Sequence, residues 1–244
     1  MSLETEKLFE KEPAHNVIIV DFIRHGESSY LEEGLDLTSK GVKQIYERAV
    51  VLAKTINPKE EIVVYWSSPN VRAQGSERIL HQVLREHEIE VFKTSEIRSL
   101  RTFDQKDVEF MDELWDELGD DLMLQYSRGE LENEEKFESQ REVKQRVGRV
   151  FNWIRYLAEH ANLEGKKLRI VGVSHFEVLN PIMEDLFDYR IEEGQEMENA
   201  ENIRITFDYD PVSKETKISA DFRDQHRENI IFDKKQRKFL TKKA

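Results

Sequence analysis

Three short apolar runs rich in β-branched residues, each ending in a polar motif, constrain this chain more than any other feature. Residues 17–23 read Val-Ile-Ile-Val-Asp-Phe-Ile and stop at Arg24, His25, Gly26 and Glu27. Residues 62–66 read Ile-Val-Val-Tyr-Trp and stop at Ser67, Ser68 and Pro69, with Asn70, Val71, Arg72 and Ala73 following. Residues 168–173 read Leu-Arg-Ile-Val-Gly-Val and stop at Ser174 and His175. Runs of this kind are expected of strands covered on both faces. Stretches with helical spacing alternate with them, which argues for a mainly parallel sheet with right-handed crossovers. Open α/β sheets bind ligands beyond the carboxyl ends of their strands. All three motifs then fall on one edge, and Arg24, His25, Arg72 and His175 can converge in one pocket.

The remaining elements follow from spacing and punctuation. Thr38 is a plausible N-cap for a helix that carries Val42, Ile45, Ala49 and Leu52 at helical spacing and stops near Asn57 and Pro58. Pro69 is placed in the first turn of the next helix, which runs to about Glu86, with Arg72 one turn in. A third strand is expected at residues 89–92. The acidic stretch 107–135 carries Phe110, Leu114, Leu118 and Leu122 at helical spacing. It reads either as an excursion over the active-site edge that acts as a lid or as a solvated surface helix. Residues 138–160 form a long amphipathic helix through Val143, Val147, Val150, Phe151, Ile154 and Leu157. Residues 203–209 and 216–222 alternate and flank a turn, the pattern of a hairpin at the sheet edge. Residues 1–14 read as a short helix or frayed arm, and the basic tail 234–244 as a solvated end. The expected architecture is a single α/β domain over residues 1–244, a three-layer αβα sandwich with an edge hairpin and a helical excursion at 104–137.

Composition excludes several function classes. The chain has 244 residues with a formal net charge of −13, so a nucleic-acid partner is disfavoured by repulsion from phosphate backbones. It has no cysteine, hence no disulfide and no thiolate metal site. No apolar run approaches the roughly 20 residues of a membrane-spanning helix, and the acidic N-terminus lacks an apolar signal region. A cytoplasmic protein with no membrane partner is the expectation; oligomeric state is not readable.

Two guanidinia and two imidazoles make a positive pocket in an acidic chain. Arginine offers a planar fork of donors matched to phosphate, and the helix starts after Ser68 and Ser174 add backbone donors. A metal site at His25 and His175 is disfavoured, because two arginines repel a cation and no clustered carboxylate accompanies them. His81, His87, His160 and His226 follow no strand and read as surface residues.

The three motifs, in this order and spacing, resemble the histidine phosphatase superfamily, the phosphoglycerate-mutase-like fold, over residues 16–207. Arg24-His25-Gly26-Glu27, the Leu-Thr-x-x-Gly sequence at residues 37–41, Ser67-Ser68-Pro69-x-x-Arg72-Ala73 and His175 carry the resemblance. It implies a phosphomonoesterase acting on a phosphorylated metabolite or phosphoprotein without cofactor. His25 would attack phosphorus and form a phosphohistidine, while Arg24, Arg72 and His175 neutralise the oxygens and Ser28 offers a hydroxyl. One departure matters. Mutase-like members carry a glutamate where Ser99 stands here, so the general acid is open, with Glu177, Asp104 and Asp107 as candidates. Another branch places its acid just after the second histidine, as His175-Phe176-Glu177 would. Near the helix start and the arginines, Glu177 is expected to be pulled toward the carboxylate, which moves the activity optimum below pH 7. The alternatives are a phosphoglycerate-type mutase or a non-catalytic member that binds a phosphoryl ligand.

Overall fold

The computed structural model describes residues 15–29, 37–119, 121–131, 133, 135–189 and 196–241. The expected N-terminal arm lies outside the described residues, as does most of the loop after Ser28. The three β-branched runs are strands: β1 (Asn16–Arg24), β2 (Glu61–Ser67) and β4 (Lys167–Ser174). With β3 (Val91–Glu96) they form the parallel part of the sheet, in the order β3-β2-β4-β1. The remaining strands, β5 (Asn202–Asp210), β6 (Glu215–Phe222), β7 (Gln225–Asp233) and β8 (Lys238–Leu240), extend it antiparallel from β1.

Helices cover both faces of the parallel part, the three-layer arrangement expected of a buried parallel sheet. On one face α1 (Ser39–Ala53) and α2 (Val71–Glu86) pack Ile45, Ala49, Leu52, Leu80 and Val83 against Ile23, Tyr65, Val171 and Val173. On the other, α5 (Gln140–His160) and α6 (Phe176–Phe187) pack Val143, Phe151, Ile154 and Leu179 against Ile18, Val20, Phe22 and Ile170. β1 gives Ile18, Val20 and Phe22 to one cluster and Ile23 to the other, because successive side chains of a strand point to opposite faces. β5 alternates strictly, with Ile203, Ile205 and Phe207 inward and polar residues outward. That pattern suits an antiparallel sheet with one face in water.

Of the apolar residues at helical spacing in α1, Val42 is 44 % exposed, because the buried stripe runs through Gly41, Ile45, Ala49 and Leu52. Four sequence expectations need correction. Pro69 precedes the α2 helix, whose N-cap is Asn70. The third strand begins two residues later than expected. Ile89 instead closes α2: Glu88 takes φ 59° and the Ile89 N–H donates to the Leu84 carbonyl at 3.0 Å, a left-handed helix stop with an apolar residue beyond it. The hairpin of β5 and β6 is present but is not the edge, since β7 and β8 follow it. The basic tail is solvated only in part: Phe239 on β8 is buried against Phe151 and Phe232, with centroids 4.6 Å and 5.1 Å away.

The acidic stretch folds into α3 (Val108–Leu118) and α4 (Asp121–Arg128). Met111, Leu122 and Tyr126 join the core under α5, and Phe103 stacks on Tyr126 at 4.4 Å.

Candidate active site

β2, β4 and β1 lie side by side, with Arg24 opposite Ser174 and Ser67 opposite Val173. Pairing continues one residue past the strands. The His25 N–H donates to the Ser174 carbonyl and the Ser68 N–H to the Val173 carbonyl, each at 3.0 Å. The three motifs are therefore neighbours at one edge, because their strands are. Gly26 is needed for contact with a helix: a Cβ there would sit 2.5 Å from the Gly41 carbonyl oxygen in the first turn of α1. Gly41 is equally crowded by the Glu27 backbone. Thr38 caps this turn by accepting from the Gly41 N–H at 3.0 Å. The two glycines and the cap set α1 directly against the residue after His25.

The structure brings His25, Arg72 and His175 into one hydrogen-bonded group. The His25 Nδ1 lies 2.7 Å from the Gly26 carbonyl oxygen, which only accepts, so Nδ1 carries the proton. Its Nε2 then holds a lone pair, which accepts from the Arg72 Nε–H at 3.1 Å. The same N–H reaches Nδ1 of His175 at 3.3 Å. His175 Nε2 donates to the Ser68 hydroxyl at 2.7 Å, and that hydroxyl donates to the Asn70 side-chain oxygen at 2.9 Å. Both imidazoles are buried and their centroids are 5.1 Å apart. Burial, then the Arg72 charge, lowers the His25 pKa to about 3. His175 is held well below the usual value by the same two causes in the same order. Both rings are thus neutral at physiological pH, as a nucleophile requires.

Arg24 lies across the Phe176 ring at 5.1 Å and donates from a terminal nitrogen to the Met197 carbonyl at 2.5 Å. Ser28 pairs with Leu37 in a single bridge, and its buried hydroxyl has no hydrogen-bond partner among the described residues.

Of the candidate acids, Glu177 is buried in the first turn of α6 and accepts from the Thr102 hydroxyl. Its pKa is raised, because burial outweighs the opposing pull of the Arg72, Arg24 and Arg146 charges. The expected pull toward the carboxylate is therefore corrected: desolvation wins over the arginines and favours the protonated form. Asp107 caps α3 by accepting from the Phe110 N–H and pairs with Lys136 at 2.5 Å; its pKa is lowered by the hydrogen bond from Lys136. Asp104 faces solvent and lies 3.5 Å from Arg101. Ser99 sits in a short 3-10 turn, Arg98–Leu100, with its carbonyl bonded to Arg146. Among the described residues no group of three His, Asp or Glu side chains could hold a metal ion. His81, His87, His160 and His226 are exposed.

Several residues of the site escaped the sequence reading. Asn199 donates to the His25 carbonyl at 3.0 Å from the segment leading into β5. The Ser76 hydroxyl accepts from the Gly26 N–H at 3.1 Å. Arg146 is buried on α5, pairs with Glu138 at 2.8 Å, and donates to the carbonyls of Ser99, Arg101 and Thr102. It pins the segment that carries Thr102 against Glu177. None of these lies next to a motif in the chain; only Ser68 and Asn70, inside the second motif, carried a signal.

The mycobacterial glucosyl-3-phosphoglycerate phosphatase shares this fold at 15% identity and a TM-score of 0.57, over 85% of this chain and 98% of that one. A phosphoglycerate mutase from Bacillus anthracis str. Sterne superposes at 17% identity and a TM-score of 0.56, over 79% and 88% of the two chains. No curated protein matches the chain. The model of the histidine phosphatase superfamily (branch 1) matches residues 20–216, a span that holds Arg24, His25, Arg72 and His175 and all of the parallel sheet but the first four residues of β1, and the chain belongs to that superfamily.

Proposed function

We propose that this protein is a phosphomonoesterase that hydrolyses a phosphorylated metabolite or phosphoprotein through a phosphohistidine at His25. The observation that carries the reading is the fixed tautomer of His25, with Nδ1–H tied to Gly26 and Nε2 facing Arg72. The Nε2 lone pair attacks phosphorus as the bond to the ester oxygen breaks. The entering phosphoryl group takes over the Arg72 N–H that the imidazoles share in its absence. Arg24 and Arg72 spread their charge over the equatorial oxygens. The leaving oxygen takes the proton of Glu177. Water then attacks the phosphohistidine, gives its proton back to Glu177, and phosphate departs as the N–P bond breaks. Gly26 stabilises the charged ring of the intermediate by holding its Nδ1–H.

Hydrolysis of p-nitrophenyl phosphate in the presence of EDTA, with acid-quench trapping of the intermediate, tests the reading. Turnover that survives the chelator, an acid-labile label on His25, and a loss of at least 1,000-fold in His25→Ala are expected on the scale of removing a nucleophile. A label elsewhere overturns the role of His25. Phosphate binding without turnover identifies a non-catalytic member.

A further inference from the structure

A cavity lies away from the catalytic cluster, between the end of α4, the first half of α5, the middle of α6 and the turn joining β7 to β8. Its volume is about 480 Å³, within the range of small-molecule sites. No residue of the catalytic cluster lines it. We propose that this cavity binds a small polyanion that carries hydroxyl groups, a hydroxycarboxylate or a phosphorylated polyol.

Three observations converge on that class. The first is charge. Arg128, Arg141, Lys144, Arg237 and Lys238 line the cavity, against the one carboxylate of Asp185 among the described residues, in a chain whose net charge is −13. Lys144 pairs with Glu184 at 3.1 Å and Arg128 with Glu130 at 3.9 Å, and neither glutamate lines the cavity. The second is a pair of buried polar atoms on two residues that line it. The Ser127 hydroxyl and the Gln140 side-chain oxygen are buried and have no hydrogen-bond partner among the described residues. Buried polar atoms are rarely left so. The Gln140 amide cannot turn to relieve this, because its nitrogen donates to the Glu177 carbonyl at 3.4 Å. The oxygen is thus an unused acceptor beside the cavity, and the serine hydroxyl an unused donor or acceptor. The third is the mixture of walls. Val147, Phe151, Ile182 and Phe239 give apolar surface for a carbon frame. Asp185, which accepts from the Phe239 N–H at 3.2 Å, adds an acceptor that suits hydroxyls and disfavours a bare inorganic anion.

The wall contributed by the β7–β8 turn is built rather than loosely apposed, since a Cβ on Gly148 would overlap Arg237. Gln140 ties the cavity to the catalytic side, because the residue whose carbonyl it holds is Glu177.

Calorimetric titration tests the site, with citrate and ribose 5-phosphate as probes and the His25→Ala protein as host, so that neither probe is turned over. At least one probe is expected to bind, citrate alone marking the site as one for carboxylates and ribose 5-phosphate alone as one for phosphorylated polyols. Adding Arg141→Glu and Arg237→Glu should weaken binding at least tenfold. The exposed pair Arg128→Glu and Lys238→Glu, made separately, should do the same. Both pairs in the otherwise wild-type enzyme should leave hydrolysis of p-nitrophenyl phosphate unchanged. For a site that reads citrate, tricarballylate, its counterpart without the hydroxyl, should bind several-fold more weakly. Failure of both probes to bind, or binding that survives both charge reversals, overturns the proposal. Equal binding of citrate and tricarballylate overturns the role given to hydroxyls.

Discussion

At the scale of single residues, the site is decided by which effect dominates each titration. Both imidazoles are kept neutral by burial and by Arg72 acting in the same direction, while at Glu177 burial and the arginines oppose each other and burial wins. The histidine shift has a consequence for stability. From pH 6.5 down to about 3 the unfolded chain protonates His25 while the folded chain does not. Stability is therefore lost as pH falls through that window, by about 1.4 kcal/mol per pH unit for the one proton. Urea unfolding between pH 6.5 and 4.5 should show a slope smaller by that amount in His25→Asn; an unchanged slope would mean that the buried ring takes up its proton in the native state. Glu177 has the opposite sign. Its folded form keeps a proton above pH 4.5, the ordinary value, so it costs stability as pH rises and stays available as an acid to higher pH than a solvated glutamate. Glu177→Gln should flatten the alkaline limb of kcat/KM. It should also reduce hydrolysis of an alkyl phosphate by about 100-fold, within the usual range for a general acid, while sparing an aryl ester with a good leaving group. Equal losses on both esters would move the acid to Asp104.

At the scale of elements, the motifs meet because β2, β4 and β1 are consecutive in the sheet, an order that follows none of the chain sequence. Local chemistry at the first helix start was legible, since Thr38 caps its helix as its position before Gly41 implies; the capping box of Ser139 and Glu142, which starts α5 two residues later than expected, was not read. The contribution of α5 to the site was not legible, since Arg146 reads in sequence as one more charge on an amphipathic helix. Buried beside Glu138, it holds three carbonyls of the segment 99–102. Breaking a buried pair from one side typically costs about 3–5 kcal/mol. Arg146→Gln should therefore lower stability by that order, read by urea unfolding. In the folded fraction, loss of kcat toward alkyl phosphates should exceed any change in KM, because Thr102 no longer steadies Glu177. A variant with wild-type kcat at full folding would make Arg146 a stability residue alone.

At the scale of the whole molecule, the antiparallel half does more than extend the sheet. The segment before β5 carries Met197, which takes the Arg24 guanidinium, and Asn199, which holds the His25 carbonyl. Beyond it, β7 and β8 bring Phe239 back over α5. The tail reads as basic and solvated, and Lys234, Lys235 and Lys238 are exposed, yet this one aromatic ring is 3 % exposed. Phe239→Ala should cost about 3–5 kcal/mol, the usual range for a buried phenylalanine. The intact catalytic cluster should retain its kcat below the shifted melting temperature. A loss under 1 kcal/mol, measured by thermal or urea unfolding, would show that β8 contributes nothing to the folded core.

What the sequence determined by itself is whatever depends on neighbours in the chain. Three β-branched runs make strands, Gly and Pro punctuate them, and Arg24, His25, Arg72 and His175 follow them at distances that a strand end or one helical turn dictates. Gly26 was legible as part of a motif, but the fold alone shows why it is glycine, since its partner is Gly41 in α1. Tertiary structure decided what depends on desolvation and on groups far apart in the chain. The neutrality of both histidines, the upward shift of Glu177, and the placement of Arg146 and Asn199 all arise from burial and from contacts that no local pattern encodes. A charge written in the sequence has no fixed strength until the fold sets how much water surrounds it.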